Sequence, residues 1–214
     1  MAKILYSSQE NYLQNLRIEN DELILEMERF AKEKNVPILN WNAAELLENL
    51  ITLYEPKRVL EIGTAIGYST IRVAKNLRKK SVIDTIEKNK DNIKLAKEFI
   101  NRSGFENKIN IIEGDALQIM PNLETKYNFI FLDADKEDYE RLFYYSLMLL
   151  KKGGVLFVDN LLWHGYAASK TVPAKYKIST EQIRKFNKLF TSQYSLKTTI
   201  LPVGDGIGIG VKRD

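Results

Sequence analysis

Arg58-Val-Leu-Glu-Ile-Gly-Thr-Ala-Ile-Gly-Tyr-Ser-Thr70 is the stretch on which the fold turns. It reads as a buried strand, Val59 to Ile62, that carries an acid near its end and runs into a glycine loop. A helix then begins near Tyr68 or Ser69. A strand–loop–helix unit of this kind presents backbone N–H groups to a nucleotide-like ligand. A dinucleotide fingerprint requires G-x-G-x-x-G, whereas here Gly63 and Gly67 stand four apart with Glu61 just ahead. The missing third glycine argues against a nicotinamide dehydrogenase.

Working outward, the flanking sequence alternates. Short apolar strands are expected near 58–62, 81–86, 108–113, 127–132 and 154–158. Amphipathic helices are expected near 68–78, 90–102, 115–120 and 138–149. This pattern predicts a parallel sheet covered on both faces. After a helix near 180–191 come two strands, about 194–201 and 206–212, joined by Pro202-Val-Gly-Asp-Gly206. That segment is too short for a helical crossover, so the pair must run antiparallel. Upstream, Gln9 to Lys34 has helical spacing through Tyr12, Leu13, Leu16, Leu23, Met27 and Phe30. A second helix is expected over Trp41 to Tyr54, ended by Pro56.

The chain of 214 residues, 44% of them apolar, is read as a single domain over 1–214, with 1–55 a helical segment packed on it. Net charge is +4, a mildly basic balance compatible with an RNA partner. Cysteine is absent, which excludes disulfides, thiolate metal sites and a cysteine nucleophile and fits a cytoplasmic location. Met1 to Glu10 lacks the apolar core of a signal peptide, and no run approaches a membrane span.

In open α/β sheets ligands sit at the carboxyl ends of the strands. The second strand ends at Glu87, placed either to accept from both ribose hydroxyls of a nucleoside or simply to face solvent at a helix start. The third ends at Gly114-Asp115-Ala116. Asp115 is positioned for an adenine amino group and is equally a favoured helix N-cap. The N–H of Ala116 would face a ring nitrogen. The fourth and fifth strands end at Asp133-Ala-Asp135-Lys136 and Asp159-Asn160, which would be neighbours in the sheet. Asp133, Asp159 and Asn160 offer oxygen donors with no His or Cys, the set for a hard divalent cation such as Mg²⁺. Lys136 is either a surface lysine paired with Asp135 or Glu137, or a cation beside the acceptor oxygen. His164, the single histidine, is read as structural or substrate-adjacent. Trp41, Trp163 and Tyr166 belong either to the core or to a stacking surface.

The motif E-x-G-x-x-x-G-x-S at 61–69 resembles the first motif of S-adenosylmethionine-dependent methyltransferases, and places Glu61 and Gly63 with the cofactor contacts. Together with Phe131-Leu-Asp-Ala-Asp-Lys136, Val158-Asp-Asn160 and Leu201-Pro-Val-Gly-Asp-Gly206, it makes the chain from Val36 onward resemble the cation-dependent O-methyltransferases, which include catechol and caffeoyl-CoA methyltransferases. Within that family the Val36-Pro-Ile-Leu39 stretch, the glycine loop and the basic tail look most like the bacterial tRNA 5-hydroxyuridine methyltransferases, which make 5-methoxyuridine at the wobble position. The resemblance implies a Rossmann-like α/β fold of seven mostly parallel strands with a C-terminal antiparallel hairpin. It implies S-adenosylmethionine contacts at Leu39, Ser69, Glu87, Asp115, Ala116 and Asp133. Metal ligands would be Asp133, Asp159 and Asn160, with Lys136 and Asp133 in the catalytic region. Asp135 departs from the branch, which often has a small residue there. The expected partner is a tRNA anticodon loop. A small phenolic acceptor is the rival, a non-catalytic nucleotide-sensing module a distant one. A homodimer is expected, and substrate choice is expected to lie in 161–177.

Overall fold

The computed structural model describes residues 4–213; residues 1–3 of the N-terminal stretch and Asp214 lie outside the described residues. Seven strands form one sheet in the order β3-β2-β1-β4-β5-β7-β6. They are β1 (Arg58–Ile62), β2 (Val82–Glu87), β3 (Ile109–Glu113), β4 (Tyr127–Leu132), β5 (Leu150–Val158), β6 (Leu196–Leu201) and β7 (Ile207–Lys212). The first five pair in parallel, and β7 enters antiparallel between β5 and β6. The expected hairpin is therefore present, with its second strand on the inner side.

Parallel strands buried on both faces need apolar side chains at both parities. Val59, Phe129, Phe131, Val155 and Phe157 point into one core, where α3 (Trp41–Tyr54), α4 (Tyr68–Asn76) and α5 (Lys90–Ser103) pack. Leu60, Ile62, Ile130, Leu132, Leu156 and Val158 point into the other, covered by α7 (Tyr139–Leu149) and α8 (Lys177–Ser192). The second core is rich in rings: Phe143 and Phe186 meet edge to face at 5.4 Å, and Tyr139 meets Phe186 at 5.2 Å. The short α6 (Ala116–Ile119) follows β3.

The N-terminal stretch differs from its sequence reading. The helical spacing over 9–34 is split into α1 (Ser7–Leu16) and α2 (Glu22–Lys34). Asp21 caps α2 by accepting from the N–H groups of Leu23 and Ile24 at 3.0 and 3.3 Å, a local alternative to continuous helix. In the break, Arg17 makes a two-pronged ion pair with Glu28 at 2.8 and 2.6 Å. Glu28 also accepts from the Tyr68 hydroxyl, and Glu19 from the buried Arg72. This network ties the break to α4. No α1 residue is buried, and Tyr12, Leu13 and Leu16 are exposed. No described helix is long and apolar enough to cross a membrane.

Candidate active site

The sheet's hydrogen bonding continues past the strand ends and fixes the loops in a row. Gly114 N–H donates to Glu87 O, Gly63 N–H to Ile86 O, Asp133 N–H to Ile62 O and Asp159 N–H to Leu132 O, all between 2.8 and 3.1 Å. Asp115, Glu87, Gly63, Asp133 and Asp159 thus stand side by side along one rim. The order of the strands reverses between β1 and β4, where ligands bind in folds of this kind. A cavity of about 900 Å³ opens there.

The glycine loop is shaped by what surrounds it. Gly63 has φ +101°, and a Cβ on it would lie 1.9 Å from the carbonyl oxygen of Asp133, so only glycine lets β1 and β4 part this closely. Glu61 does not line the cavity. Side chains alternate along a strand, and Glu61 shares the face of Val59, beneath α4. It is fully buried. Ser69 and Thr85 donate to it at 2.6 Å, and Thr70 donates as well. Burial pushes its carboxyl up to about 7 against the pull of these three hydroxyls. Glu61 therefore pins the first turn of α4 to β1 and β2. Ser69 spends its hydroxyl on Glu61 and is itself buried, and Leu39 lies in the core while Pro37 and Ile38 line the cavity.

On the β2 and β3 side, Glu87 lines the cavity and accepts from the N–H groups of Ala65 and Asn89, both at 2.8 Å. Asp115 lines it too, and caps α6 by accepting from Leu117 N–H at 2.9 Å. A carboxylate has about four acceptor positions, so both retain capacity for a ligand's hydroxyl or amino groups. Ala116 lies beside them at the wall.

On the β4 and β5 side, Asp133, Asp159, Asn160 and Lys136 converge. Lys136 is no surface lysine: its side chain is 10% exposed. Its ammonium donates to Asn160 Oδ1 at 2.6 Å, to the Tyr139 hydroxyl at 2.7 Å, to Ala134 O at 3.0 Å and to Asp133 Oδ1 at 3.3 Å. Asp159 is buried, and burial followed by the charge of Asp133 pushes its carboxyl well above the usual carboxylate range. Asp135 is exposed and pairs across the mouth with Lys88 at 2.7 Å. Among the described residues no three His, Cys, Asp or Glu side chains gather as a metal cluster; the donor set is two carboxylates and one amide oxygen. That set fits a hard divalent cation. One cationic group, the Lys136 ammonium, already bridges two of its three members, and the charge of Asp133 disfavours ionisation of Asp159.

The mouth is aromatic. Trp163 and His164 line the cavity. Tyr176 packs on Trp163, His164 and Tyr166, with ring centroids 6.2, 5.5 and 5.3 Å apart. Lys175 lies 4.5 Å over the Tyr176 ring. Trp163 Nε1 donates to Ser179 at 3.0 Å. Tyr166 is buried, and Trp41 lies elsewhere, under the guanidinium of Arg17. Sequence reasoning gave no role to Tyr139, Lys88 or Asp205. The last lay inside the Pro202–Gly206 motif, which was the available signal.

The family model described as O-methyltransferase matches residues 14–213. The chain belongs to the O-methyltransferase family. It is 29% identical over 220 residues to a catechol O-methyltransferase of Niastella koreensis, with 99% of this chain and 95% of that protein covered. A putative caffeoyl-CoA O-methyltransferase from Staphylococcus aureus superposes with a TM-score of 0.89 at 31% identity, covering 96% of this chain and 100% of that one. An O-methyltransferase from Bacillus cereus, crystallised with SAH, superposes with a TM-score of 0.84 at 25% identity, covering 97% and 98%. In this O-methyltransferase fold the expected seven-stranded sheet and C-terminal hairpin are present as read from the sequence.

Proposed function

We propose that this O-methyltransferase uses S-adenosylmethionine and a divalent cation to methylate the 5-hydroxyl of 5-hydroxyuridine at the wobble position of tRNA, giving 5-methoxyuridine. One observation carries the reading: a single cavity has the carboxylates of Glu87 and Asp115 at one end and the oxygen cluster of Asp133, Asp159 and Asn160 at the other. When bound, S-adenosylmethionine would supply the methyl group, and a cation such as Mg²⁺ held by those three residues would favour the ionised form of an acceptor hydroxyl.

The protein's own residues then do the positioning. Glu87 would accept from the ribose hydroxyls of the cofactor, and Asp115 from its adenine amino group, with Ala116 N–H facing the ring. The glycine loop, held by Gly63 and stiffened by Glu61, keeps the donor end beside Asp133. Lys136, gripped by Tyr139 and Ala134, would offer its positive charge to the acceptor oxygen and so favour the ionised hydroxyl, whose proton leaves to solvent. Holding both reactants in one geometry is itself a large part of such catalysis.

The aromatic mouth supports an RNA acceptor. An anticodon loop exposes bases that stack on such rings. From Leu161 to Ser192 the basic side chains Lys170, Lys175, Lys177, Arg184, Lys185 and Lys188 are set against one acid, Glu181, a balance suited to flanking phosphates. The likeness to a catechol O-methyltransferase favours a second reading, a small diphenol acceptor that would use the same rings for one aromatic nucleus. Methyl transfer from labelled S-adenosylmethionine to tRNA carrying 5-hydroxyuridine, and in parallel to catechol, separates the two. Label in tRNA that falls steeply with added salt supports the RNA acceptor. Label in catechol alone overturns it and keeps the rest of the mechanism.

A further inference from the structure

The turn between β6 and β7 reaches across to the oxygen cluster. Asp205 accepts from Asn160 Nδ2 at 3.3 Å through one carboxylate oxygen and from the backbone N–H of His164 at 2.5 Å through the other. Its own carbonyl accepts from Leu162 N–H at 2.9 Å, and the carbonyl of Gly206 from Leu161 N–H at 2.8 Å. Four hydrogen bonds thus bind residues 160–164 to this turn. The approach requires glycine at 206, where φ is +90° and a Cβ would lie 2.5 Å from Leu162 N. The loop so held is in an uncommon conformation: Asn160, Trp163 and His164 all have positive φ, at 62, 46 and 55°. Side-chain-bearing residues adopt that region only when their surroundings enforce it.

An asparagine amide has two faces that differ only in which atom points where. Asn160 is useful to a cation only with its oxygen turned toward Asp133 and Lys136. A carboxylate accepts and never donates, so Asp205 selects the orientation that gives it Nδ2 and sends Oδ1 to the cluster. Lys136, donating to that oxygen at 2.6 Å, reads the same orientation from the other side. We propose that Asp205 is a positioning residue that fixes the Asn160 amide oxygen toward the cation subsite while holding the 160–164 corner against the aromatic mouth. This inference rests on the cation reading of Asp133, Asp159 and Asn160. Groups behind a metal's ligands commonly set its affinity in this way, by about 10- to 100-fold.

The test is Asp205→Asn, which is isosteric and keeps an oxygen for the His164 N–H. Its new amide would confront Asn160 Nδ2 donor to donor. The Asn160 amide would then turn over and present nitrogen to the cation. Binding of Mn²⁺ alone, measured by calorimetry on the 214-residue chain, is expected to weaken about tenfold or more in Asp205→Asn, with S-adenosylmethionine affinity unchanged. The decisive comparison is the same substitution made in Asn160→Asp, where either carboxylate oxygen serves the cation and orientation no longer matters. There Asp205→Asn should leave Mn²⁺ affinity unchanged or improve it, because it removes a repelling charge. Equal weakening in both backgrounds would reduce Asp205 to a structural tether and overturn the proposal. So would wild-type Mn²⁺ affinity in a folded Asp205→Asn. A wild-type protein that binds no Mn²⁺ would instead overturn the cation reading itself, and the inference with it.

Discussion

Glu61 offers a prediction that can be worked from its surroundings alone. It is buried among three hydroxyl donors, and burial raises its pKa from 4.5 to about 7. A carboxyl raised in the folded state binds its proton more tightly there than in the unfolded chain. Its stabilising effect is therefore complete below pH 4.5 and is lost as the pH rises through 7. At about 1.4 kcal/mol per pH unit, that rise amounts to a loss of about 3 kcal/mol between pH 4 and pH 8. Glu61→Gln removes the titration while keeping an oxygen for a hydroxyl, and its amide can donate to another after the hydroxyls rotate. Other carboxyls with raised pKa, Glu48, Asp159 and Asp205, contribute slopes of their own. The difference between the two proteins isolates Glu61. Urea unfolding of the metal-free protein from pH 4 to 8 gives both curves. Wild-type stability should fall relative to Glu61→Gln by about 3 kcal/mol between the two ends. Parallel curves would refute the account of Glu61 as a buried, proton-holding brace beneath α4.

Other consequences are more local. Gly63→Ala should lose several kcal/mol of stability, or fail to fold, because its Cβ would strike the Asp133 carbonyl; a melting temperature near wild type would contradict the loop geometry. Glu87→Ala should weaken S-adenosylmethionine binding by about tenfold, the scale of a lost charge-assisted hydrogen bond, and unchanged affinity by calorimetry would remove the ribose role. The apolar side chains exposed on α1 lead us to expect a homodimer, so sedimentation equilibrium should give twice the mass of the chain, and Leu13→Glu with Leu16→Glu should lower it; a monomeric wild type would contradict this.

The parallel part of the sheet was legible because each of the first five strands is a short, largely apolar run closed by an acid or glycine, and the acids at the ends of β2, β3, β4 and β5 follow from that alone. Side-chain direction was less legible. Glu61 belongs by motif with the cofactor loop, yet strand parity turns it under α4, where Ser69, Thr70 and Thr85 meet it. Leu39 stands next to cavity-lining Ile38 and is itself in the core. The break after α1 depends on Arg17 finding Glu28 and on Asp21 capping α2, contacts that apolar spacing does not encode. Lys136 stood between two readings until the fold brought Tyr139 and Asn160 to it. Asp205, 45 residues from Asn160 in the chain, meets it only because β7 inserts beside β5.

The most direct test of the central claim, that one cavity joins a cofactor end to a cation end, is paired. Methyl transfer to 5-hydroxyuridine tRNA would be measured with Mg²⁺ and with chelator, for wild type and for Asp159→Asn, alongside S-adenosylmethionine binding by calorimetry. The account predicts that chelator and Asp159→Asn each abolish transfer while cofactor affinity and melting temperature hold. Full transfer in chelator, or by Asp159→Asn, would contradict it.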